Sequence, residues 1–413
     1  MLSQTVEKKK VIEAIGELGR RVTAADVATK TGLPILVVGQ TLNQVASETG
    51  GHLQVSTTGD IAYSFKPGFS QTYLAKGIQL ALLKAARFIW QVAFYLLRIS
   101  FGVILILSLL FIVTIIMTFF LRGSDRRREN EDDPPGMGFG NMLFNYIVLR
   151  DLFTWHSASA PVIYQYDRPT VRRASRSNFF LNCFSFLFGD GDPNEGLDEK
   201  RWQLIAKAIR KNNNVMTAEQ LAPYTGADPG DEDSVLPVLV RFNGKPEVTE
   251  RGNIIYVFPE MQVGAATAFD TAPPAYLQEF PWRFSNMTPG ATAPVILVAS
   301  LNFALAWLLW GFLAAGPPTG ILKVMNVLVV YGTLFIAIPA ARVAINYLKN
   351  KNINQRNLQR YEYALSNANP VSELQTKFQE AEAYKLRTKK LTEDKIVYTT
   401  ERDTLDQEFD ATP

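Results

Sequence analysis

The chain has 413 residues, room for two or three domains, and a net charge of +3 that singles out no polyanionic partner. Its one cysteine, Cys183, excludes an intrachain disulfide and a self-contained cysteine-ligated iron–sulfur or zinc site. With only His52 and His156, a histidine-rich metal site is disfavoured as well.

Met1 to Lys10 is polar and leads straight into a soluble pattern, so no cleavable signal peptide is expected. Residues 1–70 form the first predicted module. Val11–Leu18 has helical periodicity. Thr23 is placed to cap a helix over Ala24–Thr31 that stops at Gly32, and Pro34 opens a third helical pattern reaching Gly50–Gly51. Leu53–Val55, a turn at Thr57–Asp60 and the alternating Ile61, Tyr63 and Phe65 predict a β-hairpin. Three helices followed by a hairpin is the winged-helix arrangement.

Residues 71–121 change character. From Ile78 to Arg98 an apolar stripe runs through Leu82, Ala86, Ile89 and Ala93, opposite Lys84, Arg87, Gln91 and Arg98. This predicts a basic amphipathic helix at a membrane surface. Phe101–Leu121 is an unbroken apolar run long enough to span a hydrocarbon core. Two readings stand for residues 78–121: one crossing, or a tight hairpin closing near Gly102.

Residues 122–196 read as a basic and aromatic interfacial linker. Arg122, Arg126, Arg127 and Arg128 follow the first span. The Gly136–Gly140 patch reads as a linker. Between the aromatic ends of the 138–188 stretch sit Arg168, Arg172, Arg173 and Arg176, suited to anionic head groups; an apolar packing surface under the next module is the alternative. Asp190-Gly191-Asp192-Pro193-Asn194 spaces oxygen ligands like a calcium loop. Glu195 and Arg201, however, stand where such a loop needs glycine and a bidentate glutamate, so a turn leading into a helix that starts near Asp198 is expected.

Residues 197–262 repeat the first module. Met216-Thr-Ala-Glu-Gln-Leu-Ala-Pro-Tyr-Thr-Gly226 matches Val22-Thr-Ala-Ala-Asp-Val-Ala-Thr-Lys-Thr-Gly32. Val55, Gly59, Ile61, Tyr63 and Phe65 recur with the same spacing as Val248, Gly252, Ile254, Tyr256 and Phe258. Helices are predicted over Trp202–Arg210, Ala218–Tyr224 and Ser234–Phe242, with a hairpin over Glu247–Phe258. Winged helices often bind DNA through the third helix, which then needs clustered cations. Residues 35–49 contain no lysine or arginine. The approach to the second copy's third helix is Asp228, Asp231, Glu232 and Asp233, with Arg241 alone at its end. Protein docking or intramolecular packing is therefore expected, and nucleic acid is disfavoured.

Residues 263–293 form a linker whose Phe280, Trp282 and Phe284 look like an aromatic belt. Within 294–340, Pro294–Ala315 and Ile321–Ala340 are two further spans joined at 316–320, a predicted helical hairpin. Asn302 is the most polar side chain inside the second span. Counting from the turn sets it opposite 333–336, so Asn302 is expected to pair with Thr333, with Gly332 allowing close approach. Residues 341–413 read as a charged helical tail. Its Leu374, Phe378, Ala381 and Leu391 form a docking stripe, and Ile396–Thr400 either extends a wing sheet or forms an ordered loop. Basic residues after Ala340 place residues 122–290 and the tail on the cytoplasmic side.

Phe184-Ser-Phe-Leu-Phe-Gly189-Asp190-Gly191-Asp192-Pro193-Asn194-Glu-Gly196, followed by Glu199-Lys-Arg-Trp202-Gln-Leu-Ile205, resembles a cyanobacterial and plastid membrane protein family, as does Lys395–Asp403. The likeness extends over most of the chain, and 184–205 is its most specific part. Plant members are chloroplast proteins sometimes labelled iron–sulfur cluster biosynthesis proteins. The resemblance implies a cyanobacterial origin and a thylakoid or plasma membrane location, and it carries over no catalytic residue.

The predicted fold class is mixed: two winged-helix (α+β) modules in internal repeat, α-helical transmembrane segments and a charged helical C-terminal tail. No phosphate-binding loop, nucleophile elbow or paired histidine motif is present, so no cofactor and no enzyme activity are expected. The expected function is a membrane scaffold or assembly factor for photosynthetic complexes. Its partners would be membrane lipids and other membrane or peripheral proteins. A membrane-tethered transcription regulator and an accessory factor in iron–sulfur maturation are the alternatives.

Overall fold

A computed structural model of the protein describes residues 2–70, 78–125, 178–265, 272–316, 320–386, 389–391 and 396–401. It is mostly helical, with small sheets and three helices long and apolar enough to cross a membrane. The chain divides into two units. Met1–Ala85, Pro193–Pro281 and Asn350–Pro413 make the first; Ala86–Asp192 and Trp282–Lys349 make the second.

The first unit opens with α1 (Leu2–Glu17), β1 (Arg21–Val22), α2 (Ala24–Thr31), α3 (Ile35–Thr49), β2 (His52–Ser56) and β3 (Ile61–Ser64). The chain then runs through α4 (Ile78–Asp125) and α5 (Phe179–Phe188). The opening order returns as α6 (Leu197–Lys211), β4 (Val215–Met216), α7 (Ala218–Thr225), α8 (Leu236–Phe242), β5 (Lys245–Val248) and β6 (Ile254–Val257). The local causes match as closely as the order. Thr23 and Thr217 each cap the second helix, with Asp26 and Gln220 bonding back to complete a capping box. Both helices end at a glycine with positive φ, Gly32 at 73° and Gly226 at 72°. Strand registers correspond as well: Leu53↔Tyr63 and Val55↔Ile61 in one sheet, Pro246↔Tyr256 and Val248↔Ile254 in the other.

The boundaries of α1 and α8 differ from those expected from the sequence. α1 begins well before Val11, because Lys8 pairs with Glu48 of α3 at 2.5 Å and lays its stem on the core. α6 starts at Leu197, next to the Asp198 start expected after the Asp190–Asn194 turn. α8 is shorter than expected: Glu232–Ser234 is a 3₁₀ turn and Pro237 occupies the first turn of the helix. The short strands β1 and β4, which line the hairpins, lack any sequence period that would announce them.

Beyond β6 lie a 3₁₀ turn (Pro259–Gln262) and β7 (Val263–Gly264). The two segments share one hydrophobic core. Val11, Ile15, Val38 and Leu42 join Trp202, Ile205, Leu221, Phe242 and Phe258 in a single buried cluster. Burial of this kind contributes about 25 cal/mol for each Å² of apolar surface removed from water. A smaller cluster on the second segment's sheet joins Val215, Ile255 and Val257 to Ala381 of the tail.

In the second unit α4 runs unbroken through Gly102, so the hairpin alternative for 78–121 does not form. Two apolar helices follow, α9 (Pro289–Ala314) and α10 (Gly320–Ala368). α10 continues well past Ala340 as one helix, which merges the third span with the start of the tail. Two packing layers give the helix directions. Leu105 and Leu109 pack with Val295, Val298, Ala299 and Phe335. Ile112 and Ile115 pack with Ala306, Leu309, Met325 and Val329. α4 and α9 are therefore parallel, and α10 is antiparallel to both. α5 packs in the first of these layers through Cys183, Phe186 and Leu187. Asp125 consequently lies at the Ala314 end and Phe179 at the opposite one.

The tail then forms α11 (Ser372–Ala383), β8 (Lys389–Lys390) and β9 (Ile396–Thr399). β9 pairs antiparallel with β2, giving the sheet order β1-β3-β2-β9, and β8 pairs parallel with β7. Of the two readings for Ile396–Thr400, strand addition is the one realised.

Candidate docking surface and membrane core

The seam between the two repeated segments is built on buried charge. Asp26, fully buried, accepts from Arg210 Nη1 at 2.8 Å, from the backbone N–H of Thr23 at 3.0 Å and from that of Ala265 at 2.8 Å. Thr23 Oγ1 donates to the Val263 carbonyl at 3.0 Å. The cap of α2 is thus also a tie to the second segment. Lys10 pairs with Glu199 across the same seam. Arg241, the one cation of α8, turns inward. It lies 4.3 Å over the Trp202 ring and donates through Nε to the Gly32 carbonyl at 2.7 Å. α3 and α8, the two third helices, pack against one another.

A second charged cluster holds the segment before the second span. Glu279 accepts from Arg356 at 2.9 and 2.6 Å and from Arg360 at 2.6 Å, while Asn357 brackets its backbone N–H and carbonyl. The hydrogen bonds from Arg356 and then from Arg360 hold the Glu279 carboxyl below its ordinary value, against the opposing effect of burial. The tail is tied to the second segment in a similar way. Glu380 accepts from Asn253 Nδ2 and Thr249 Oγ1 at the β5–β6 turn, and these bonds lower its pKa. Lys377 meets Glu219 at 2.8 Å. Tyr224, pushed up to about 12 by burial, donates to the Pro274 carbonyl at 2.8 Å.

The family motif serves as a set of local braces. Asp190 accepts from Ser285 Oγ at 3.1 Å and from the Asn286 N–H at 2.6 Å. Asn194 exchanges two bonds with the backbone of Phe280, at 2.9 and 2.7 Å. Gly189 has φ 81°, and a Cβ there would lie 2.6 Å from Arg342 Nη2. That guanidinium caps the C-terminus of α5, donating to the Ser185 and Phe186 carbonyls, and also reaches the Phe284 carbonyl. Gly191 has φ 100°. Pro193 opens its stretch of the first unit. Trp202 is buried in the shared core.

Of the expected interfacial residues, Arg98 stacks 4.8 Å from the Phe184 ring centre and 5.6 Å from that of Phe94. Trp282 lies 3.9 Å under Lys349 Nζ. Lys84, Arg87 and Arg122 belong to α4, with side chains outside the described residues. Arg126, Arg127, Arg128, the Gly136–Gly140 patch and the arginines from Arg168 to Arg176 also fall outside them.

The intramembrane pairing needs correction. Asn302 is fully buried, but its Oδ1 accepts from Ser108 Oγ at 2.8 Å. Thr333 instead accepts from Trp307 Nε1 at 3.1 Å and donates to the Val329 carbonyl of its own helix at 2.7 Å. The register itself is close: a Cβ on Gly332 would stand 3.2 Å from Asn302 Nδ2. A third helix supplied the partner, and a two-helix count does not include it. The signal available was Ser108, a hydroxyl inside the first apolar run, which also holds Thr114 and Thr118. Asp26, Arg210 and Glu279 were missed because their partners lie between 77 and 239 residues away. Among the described residues no group of three or more His, Cys, Asp or Glu is placed to hold a metal.

In comparison with known proteins, the chain is 31% identical to the uncharacterized chloroplastic protein At5g03900 of Arabidopsis thaliana; the match covers 98% of the chain and 80% of the plant protein. No family model matches the chain, and no solved structure does.

Proposed function

Because the chain belongs to the family of that chloroplastic plant protein, we propose that it is an integral membrane scaffold or assembly factor, non-enzymatic, of a photosynthetic or plastid-type membrane. In this reading its two repeated segments are winged-helix modules used for docking proteins. The observation that carries the proposal is the fate of the third helices. In a DNA-reading winged helix they would face a groove with clustered cations. Here α3 and α8 pack together and the one arginine, Arg241, is spent on Trp202 and Gly32.

The helix directions support one bilayer placement within this reading. Arg98 and Arg342 each lie ten residues from the Ser108–Asn302–Gly332 level. Ten residues are about 15 Å of helix, half of a hydrocarbon core of roughly 30 Å. Both arginines then mark the interface on the side from which α4 starts and to which α10 returns. Affinity capture of the tagged full-length protein from its native membrane tests the docking role. Recovery of the protein alone, at native abundance, would count against it.

A further inference from the structure

The joined third helices leave a surface with an unusual composition. α3 exposes Leu36 at 59%, and α8 exposes Leu236 at 53% and Val240 at 72%, with Pro237 beside them. Leu236 and Val240 are one helical turn apart and share a face. Neither third helix offers a cation on its outward side. Residues 35–49 contain no lysine or arginine, and Arg241 is turned into the seam. The outward residues of α3 are Gln40, Asn43, Gln44, Ser47 and Glu48.

The approach to α8 adds charge of one sign. Asp228, Asp231 and Asp233 are exposed. Asp228 accepts from the Gly230 N–H and Asp231 from the Asp233 N–H, so these carboxylates shape the loop while keeping their charge. Among the described residues, no basic side chain pairs with any of the three. Exposed aliphatic side chains lose free energy in water, and unpaired carboxylates at the rim repel anions. A nucleic acid or an anionic membrane surface is thereby disfavoured as the occupant.

We infer that the paired faces of α3 and α8 bind a cationic amphipathic helix of a partner protein, whose apolar stripe covers Leu36, Leu236 and Val240 and whose lysines or arginines meet Asp231 and Asp233. This rests on the docking role proposed above and names the chemistry of the partner. Apolar contact supplies the affinity, and the carboxylates set orientation and encounter rate.

The chain's lone cysteine makes a site-specific test practical. Cys183 is fully buried, so Gln40→Cys on α3 places the single accessible thiol at the rim of the face. The full-length protein in phosphatidylcholine nanodiscs is labelled there with a polarity-sensitive dye. It is titrated with a synthetic helix of about 18 residues bearing leucine on one face and lysine on the other. A saturable blue shift is expected. Leu236→Asn with Val240→Asn should weaken it at least ~10-fold, about 1.4 kcal/mol. Asp231→Asn with Asp233→Asn should weaken it and flatten its dependence on salt. All four positions are exposed, so the fold persists, and circular dichroism verifies that.

No saturable shift would overturn the inference. So would an equal shift with a leucine–glutamate helix, or one unchanged in L236N/V240N. A shift that grows with protein concentration without peptide would assign the face to a second copy, and would overturn it too. Any of these results leaves the scaffold role itself standing, since capture from the native membrane tests that separately.

Discussion

Ser108 donates a 2.8 Å hydrogen bond to Oδ1 of Asn302, and both side chains are buried among apolar helices. The bond ties α4 to α9, which nearly 200 residues separate in sequence. Behind it Gly332 of α10 lets the third helix come close enough to face Asn302 Nδ2. Three helices thus meet at one small polar level.

Substituting Asn302→Leu or Ser108→Ala should each lower stability by about 1 kcal/mol, the usual size of an interhelical polar contact in a membrane. A double-mutant cycle in detergent unfolding should show the two changes to be non-additive. Thr333→Val should not couple to Asn302, because Thr333 bonds Trp307 and its own helix. Coupling of Asn302 to Thr333 in place of Ser108 would contradict the observed geometry.

Asp26→Ala should be among the most damaging single changes in the first unit. It removes the reciprocal bond of the α2 capping box and leaves Arg210, largely buried, without its carboxylate. Breaking a buried pair from one side costs about 3–5 kcal/mol. The measurement is limited proteolysis, which should begin to cut between the two repeated segments. A variant as protease-resistant as the parent would show that the seam does not depend on this pair.

Glu279 gives a pH dependence with a definite sign. Its folded pKa lies below the ordinary value of 4.5, so its contribution is complete above that value and is lost as pH falls through the folded one. Glu279→Gln should therefore destabilise the protein at neutral pH, by about 3 kcal/mol since Arg360 is buried. The gap between variant and parent should close below pH 4.5. Chaotrope midpoints for both proteins, taken across pH 3 to 7, supply the comparison. A gap that widens on acidification would reverse the assignment.

Duplex DNA should not bind the full-length protein usefully at physiological salt. Strong non-specific binding needs several phosphates neutralised together, and α3 and α8 offer no outward cation. A gel-shift series over salt concentration measures this directly. Sub-micromolar binding at physiological salt would favour the transcription-regulator reading instead.

Much of the architecture was legible in the residues because its causes are local. Thr23 and Thr217 stand three residues before a side chain able to complete each capping box, and Gly32 and Gly226 stop the same helices. Apolar runs long enough to span a bilayer are legible for the same reason, since length and composition suffice. What the sequence left open depended on partners far along the chain. Asn302 had to choose between Ser108 and Thr333, and only three-helix packing put Ser108 within 2.8 Å. Whether residues 78–121 crossed once or twice rested on Gly102, which in isolation permits a turn or a helix. Packing decided for an unbroken helix. Asp26 reads as an ordinary capping residue until Arg210 and Ala265 arrive from the second segment. Local propensity sets which elements form, because each cap or apolar stripe lies within a few residues. The pairing of elements is set by burial, which removes side chains from water only once the distant segments have met.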